Sequence, residues 1–167
     1  YVPYFVAREQ QPKHLTITPE STCLRVILGY QQDYFTEQQT KQFFHGKYRI
    51  SERNDRMGFR LLGPDIKPSI DGILSEGICQ GAIQVPPDGQ PIILLNDRQT
   101  IGGYPKIGSV LSLDLDKLAQ LGPEAVVCFE EVSIEQAHNL KHLAAINFQQ
   151  GKATVNLDAL SKAIEDL

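Results

Sequence analysis

The chain contains no tryptophan, one methionine and three cysteines in 167 residues. It also lacks any excess of positive charge: 16 Lys and Arg stand against 20 Asp and Glu, a formal net charge of -4. Without a broad basic surface to neutralise phosphates, nucleic-acid binding is not expected as a main function. No stretch is apolar enough to span a bilayer, and no secretory apolar region is present, so no membrane partner is expected and the expected location is cytoplasmic. Cys23, Cys79 and Cys128 are odd in number, far apart and set among apolar neighbours. They are expected as buried free thiols in a reducing compartment.

Several motifs that carry chemistry are missing as well. There is no GxGxxG, no GxSxG and no CxxC. Gly102-Gly103-Tyr104-Pro105-Lys106 has glycines and a lysine, but not the spacing of a phosphate loop. The sole methionine, Met57, precedes glycine rather than lysine, so the chain carries no biotin attachment site. His138 and His142 have the i, i+4 spacing of a helical metal pair, yet Asn139 stands where a zincin has glutamate. They read as surface histidines, and no metal site is expected.

What is present is concentrated in Ser75 to Gly108, which holds six of the 13 glycines and four of the 10 prolines. Gly frees φ and Pro fixes it, so the segment is a series of shaped turns. Between them stand Glu76, Gln84, Asp97, Arg98, Gln99, Thr100 and Tyr104, polar groups that a plain connection would not need. Shaped turns with polar side chains, held by strands on both sides, are what a binding site requires.

Most of the chain reads as strand: His14–Thr18, Thr22–Leu28, Lys47–Glu52, Arg56–Leu62, Gly81–Val85, Pro91–Leu95, Ser109–Leu113 and Ala125–Glu130. Pro86-Pro87-Asp88-Gly89-Gln90 predicts a tight hairpin turn. Thr36 to Gln39 and Ser133 to Gln136 fit capping boxes, the first opening a helix that stops at Gly46, the second a helix to about Ile146. Ile134, Ala137, Leu140, Leu143 and Ala144 form the apolar stripe of that second helix. Asp158 caps a last amphipathic helix. The organisation expected is a β-barrel domain over residues 1–148, then a linker and C-terminal helix over 149–167. The fold class is mainly β, a closed or nearly closed barrel with two or three short helices.

Three polar clusters are candidate sites. Asn96 to Tyr104 follows an apolar strand and should sit at the barrel rim. Asp97 can accept a proton or orient an N–H group, Arg98 can pair with a carboxylate or phosphate, and Gln99 and Thr100 offer donors and acceptors. Arg53-Asn54-Asp55-Arg56-Met57-Gly58 reads either as a site or as a local ion-pair turn. Ser75-Glu76-Gly77 with Gly81 and Gln84 offers a carboxylate beside glycines, as a general base or a substrate clamp. Polar groups beside backbone-shaping residues recur in all three, which predicts one shared pocket.

NDRMGFRLLGP (Asn54–Pro64), SEG (Ser75–Gly77), GAIQVPPDGQPI (Gly81–Ile92) and DRQTIGGYPKI (Asp97–Ile107) closely resemble one family. It comprises the 5-oxoprolinase C subunit, the anti-inhibitor KipA, allophanate hydrolase subunit 2 and the matching biotin-dependent carboxyltransferase part of urea amidolyase. The resemblance spans roughly Leu24 to Val132 and corresponds to the C-terminal half of the family's longer chain. It departs at Tyr30, where the family tends to have proline, and at Asn54, often serine. It implies a cyclophilin-like barrel.

The resemblance implies chemistry on a small amide or ureide: ATP-dependent opening of the 5-oxoproline lactam to glutamate, acting only in complex with partner subunits. ATP is then a cofactor of the whole complex. The partners implied are a KipI-like protein, similar to the 5-oxoprolinase B subunit, and a LamB/YcsF-type subunit. One alternative is carboxyl transfer to urea, with biotin carried by another protein or domain. Another is a KipA-like regulator that binds a KipI-like kinase inhibitor. On this reading Glu76, Asp97 and Gln84 are the catalytic candidates. Arg56, Arg98, Gln99, Thr100, Gly102, Gly103 and Tyr104 are the substrate-binding candidates.

Overall fold

The computed structural model describes residues 22–149. The strand expected at His14–Thr18 and the helix expected from Asp158 lie outside the described residues. Nine strands and three helices follow in chain order: β1 (Thr22–Leu28), α1 (Glu37–His45), β2 (Tyr48–Asn54), β3 (Gly58–Leu62), β4 (Glu76–Gly77), β5 (Ala82–Gln84), β6 (Ile92–Leu94), β7 (Ile101–Gly102), β8 (Lys106–Val110), α2 (Leu115–Leu118), β9 (Val126–Glu131) and α3 (Ile134–Gln149). Seven strands close a barrel in the order β1-β8-β5-β6-β3-β2-β9, and β4 and β7 form a separate two-stranded ribbon. The closed, mainly β architecture expected from the sequence is therefore found. Closure comes from the parallel pair β1 and β9.

Alternation along each strand sorts residues between the core and the outer face. In β3, Phe59 and Leu61 are buried in the core while Gly58, Arg60 and Leu62 face out. Ile83 and Val85 bracket Gln84 in the same way, and both belong to the core. Helix α1 drives Phe43 against β9, where its ring stacks on Phe129 with centroids 4.2 Å apart. The capping boxes form as expected: Gln39 N donates to Thr36 Oγ1, and Gln136 N donates to Ser133 Oγ. Helix α3 continues to Gln149, beyond the expected end near Ile146. Its stripe is half-buried through Leu140, Leu143 and Ala144, but Ile134 is exposed.

The hairpin joining β5 to β6 turns where the sequence predicts, with Gly89 at φ +77°. The strand expected at Ser109–Leu113 is instead Lys106–Val110, after which the chain enters a 3-10 turn and α2. The reason lies in Leu111, Leu115 and Leu118, whose helical spacing buries all three. Asp114 between them is fully buried and accepts hydrogen bonds from Arg25 N (3.0 Å), Nε (2.8 Å) and Nη2 (2.7 Å). Burial acts to raise its pKa. The Arg25 bonds, with Lys117, outweigh that and hold the carboxyl below its ordinary range.

The cysteines require a correction. Cys23 and Cys128 are not buried free thiols but a disulfide, with Cα atoms 4.5 Å apart. The β1–β9 register places the two residues directly opposite one another across 105 residues of sequence. Cys79 is free but exposed rather than buried. Among the described residues no helix is long and apolar enough to cross a membrane.

Candidate functional site

The outer face of β3, β6, β5 and β8 carries the polar groups that the barrel does not bury. Register pairs Arg60 with Ile92, Ile92 with Gln84, and Gln84 with Lys106. These four residues form a single row across four strands. The β4–β7 ribbon lies over this face, with Glu76 opposite Gly102 and Gly77 opposite Ile101. Just after β4, Ile78 packs on Ala82, Ile92 and Leu94 and anchors the ribbon. Arg98 fixes the same region from its side: its Nε donates to Ile78 O (3.1 Å) and its Nη1 to Leu95 O (3.2 Å). Thr100 contributes its carbonyl, which accepts from Ile78 N at 2.9 Å.

Gly102 makes this close approach possible. A Cβ there would lie 2.6 Å from Ile78 Cδ1, 2.9 Å from Gln84 Nε2 and 3.1 Å from Gln99 Nε2. Two primary amides thus converge on one point beneath the ribbon. Gln84 is only 2% exposed, and its Nε2 has no hydrogen-bond partner among the described residues. A buried donor without a partner is costly in an ordinary interior, so such a group calls for an explanation. It lines a pocket of about 340 Å³. Gln99, Tyr104, Arg53, Asn54 and Arg60 line that pocket with it, and Ile92 and Leu94 supply apolar lining.

Glu76 occupies a neighbouring position. Its carboxylate accepts from Tyr30 Oη (2.5 Å), Gln31 Nε2 (2.6 Å) and Lys106 Nζ. Gln31 also accepts from Lys106 N at 2.8 Å, tying the cluster to β8. Lys106, then Tyr30, hold Glu76 below the usual carboxylate range, and the bond to Glu76 raises Tyr30. Near neutral pH the pair is carboxylate and phenol. A carboxylate so stabilised is a weak base and a strong anchor. Tyr30, Gln31, Lys106, Cys79 and Ser109 line a cleft of about 200 Å³ beside it.

Residues of all three sequence clusters line the Gln84 pocket: Gln99 and Tyr104 of the first, Arg53, Asn54, Asp55, Met57 and Gly58 of the second, and Gln84 of the third, while Glu76, Arg56, Asp97 and Arg98 lie outside its lining. Gln84, Gln99, Gly102 and Tyr104 meet as described, and Glu76 sits one strand-pair away. Asp97 and Arg56 pair with each other on the exposed surface, Nε to Oδ2 at 2.9 Å. Arg56 borders a different recess of about 350 Å³, with Phe59, Leu95, Leu115 and Asp116. Gly103 accepts from Ile73 N through its carbonyl and steadies the entry to β4. The Arg53–Gly58 turn is not a local ion-pair cluster: Asp55 Oδ1 accepts from the backbone N–H of Met57 and Gly58. Of the turn's two arginines, Arg56 reaches Asp97 across 41 residues of sequence, and Arg53 has no carboxylate partner among the described residues. Sequence reasoning missed Tyr30, Gln31, Lys106 and Arg60 as site residues, because their partners lie 28 to 75 residues away. The one available signal is Lys106 lying immediately after the Gly-Gly-Tyr-Pro run.

Residues 4–131 match the family described as carboxyltransferase domain, subdomain A and B. The chain belongs to that family. Among curated relatives, this carboxyltransferase domain is 34% identical over 140 residues to the 5-oxoprolinase C subunit of Haemophilus influenzae, covering 83% of this chain and 45% of that protein. It is 36% identical over 115 residues to the 5-oxoprolinase C subunit of Escherichia coli, covering 68% and 37%. The chain thus spans less than half the length of the curated relatives it matches. The crystal structure of K. lactis urea amidolyase is similar with a TM-score of 0.72 and 26% identity, covering 78% of this domain and 8% of that chain.

Proposed function

We propose that this carboxyltransferase domain is the amide-binding part of a 5-oxoprolinase-type complex, a hydrolase that opens the 5-oxoproline lactam to glutamate at the expense of ATP. The observation that carries the reading is the buried, unpartnered Nε2 of Gln84 beside Gln99 under Gly102. A lactam presents a C=O flanked by N–H. Gln84 Nε2 donates to that carbonyl oxygen, where negative charge develops as the ring opens. Gln99 and Tyr104 bracket the ring. Glu76, saturated by three donors, holds Lys106 and Tyr30 in place next to the pocket. Arg98 serves the fold of the ribbon, and the Arg56–Asp97 pair lies outside the pocket.

Similarity to two 5-oxoprolinase C subunits supports this choice. Because the chain spans less than half of those proteins, the remainder of the protein and its partners complete the enzyme. Those partners are a KipI-like protein, similar to the 5-oxoprolinase B subunit, and a LamB/YcsF-type subunit, with ATP bound at the level of the complex.

A second reading has one observation in its favour, the likeness to urea amidolyase. In it the same pocket takes urea as acceptor of a carboxyl group, with biotin carried by another domain. One experiment separates the two. The full-length protein is copurified with its neighbouring subunits and assayed for ATP-dependent glutamate release from 5-oxoproline. Release is expected. No release, together with urea- and biotin-dependent ATP consumption, overturns the first reading in favour of the second.

A further inference from the structure

The row Arg60–Ile92–Gln84–Lys106 places a cation and an unpartnered amide on either side of one apolar residue. Arg60 and Gln84 are two strand spacings apart, roughly 10 Å between backbones, and both side chains stand on the outer face. Arg60, Ile92 and Gln84 all line the same pocket of about 340 Å³. Arg60 is itself partly shielded, with its side chain 32% exposed against 84% for Arg56. Its partner is Asp88, reached through Nη1 at 2.8 Å. Nε and Nη2 have no partner among the described residues, which leaves an open donor edge for a planar anion. Arg53 borders the same pocket and has no carboxylate partner among the described residues.

We infer that Arg60, with Arg53 beside it, reads a carboxylate on the ligand whose amide is held by Gln84. The pocket therefore selects a small amide that bears a carboxylate over a neutral amide or ureide. This inference rests on the amide-pocket reading of Gln84 and adds a specificity-determining residue to it. The sequence clusters direct attention to Arg56 and Arg98 for such a role. Arg98, however, is committed to backbone carbonyls, and Arg56 borders another recess.

The test compares 5-oxoproline with 2-pyrrolidinone, the same lactam without its carboxylate. Both are titrated by NMR into the full-length protein in its complex, as wild type, Arg60→Met and Arg60→Lys. Wild type is expected to prefer 5-oxoproline by about tenfold or more, the worth of one charge-assisted pair. Arg60→Met should collapse that preference, and Arg60→Lys, a point charge without the fork, should restore part of it. A preference that survives in Arg60→Met, or a wild type that binds neither lactam, overturns the inference. Glutamate release is measured on the same samples. If the preference is present but no glutamate forms, the carboxylate site stands and the 5-oxoprolinase reading fails. If glutamate forms with an unaltered KM in Arg60→Met, the reading stands and the carboxylate site fails.

Discussion

Replacing Gln84 with methionine should raise stability and destroy function at once. Gln84 is 2% exposed and its Nε2 lacks a partner among the described residues, so the folded protein carries the desolvation cost of one amide donor. That cost is about 1–3 kcal/mol for a buried unsatisfied group. Methionine keeps the length and unbranched shape of the side chain and packs against Ile78 and Gly102 without a donor to satisfy. Allowing for imperfect packing, a gain of about 1–2 kcal/mol remains, which raises Tm by about 2–8 °C for a protein of this size. If Nε2 meets developing charge on the lactam oxygen, its removal costs a factor of about 100 or more in kcat. Differential scanning fluorimetry of the full-length protein and glutamate release by the assembled complex measure the two effects. A Tm that falls together with activity would show that Gln84 is a structural amide with a satisfied donor. A Tm that rises with activity intact would remove it from the site.

Two further predictions concern the ribbon and the buried ion pair. Gly102→Ala places a methyl 2.6 Å from Ile78 Cδ1 and 2.9 Å from Gln84 Nε2, so the ends of these side chains, the Gln84 amide included, must shift away. A loss of about 1–3 kcal/mol in urea denaturation and weakened ligand binding are expected, and unchanged binding would contradict the closed geometry. Asp114→Asn leaves the largely buried Arg25 without its counter-charge and should cost about 3–5 kcal/mol at neutral pH. Because the folded pKa of Asp114 is depressed, its contribution is present above the ordinary value of 3.8 and is lost as pH falls through the folded pKa. The gap in urea midpoint between wild type and Asp114→Asn should therefore narrow below about pH 4. A gap that stays constant or widens there would refute the assignment.

The sequence disclosed whatever local periodicity controls. Phe59 and Leu61 alternate with Arg60, and Thr36 and Ser133 cap their helices, because those signals act over two to four residues. It also pointed to the Gly-rich block, where Gly102 does allow two glutamine amides to converge. What it concealed depends on register between distant strands. Gln84 meets Lys106, and Arg60 meets Ile92, only after the barrel closes. The grouping of Asp97 and Arg98 with the pocket followed their neighbours in sequence. In the fold, one faces outward to Arg56 and the other turns inward onto carbonyls. Leu111, Leu115 and Leu118 were ambiguous because a short apolar run fits a strand as well as a helix until the burial of Asp114 decides it.

The Cys23–Cys128 bridge joins the first described barrel strand to the last. Every strand that contributes to the pocket lies between these two cysteines, so the bond makes the barrel a covalent ring. A protease that cuts once in the connection between β3 and β4, where Leu74 and Ser75 are exposed, would nick the ring without releasing a fragment. The pieces would part on a gel only after reduction. The bridge thus gives the pocket a tolerance to chain cleavage that no hydrogen-bonded strand pair supplies, and it makes the redox state of two sulfurs the switch between a nicked domain and two separate peptides.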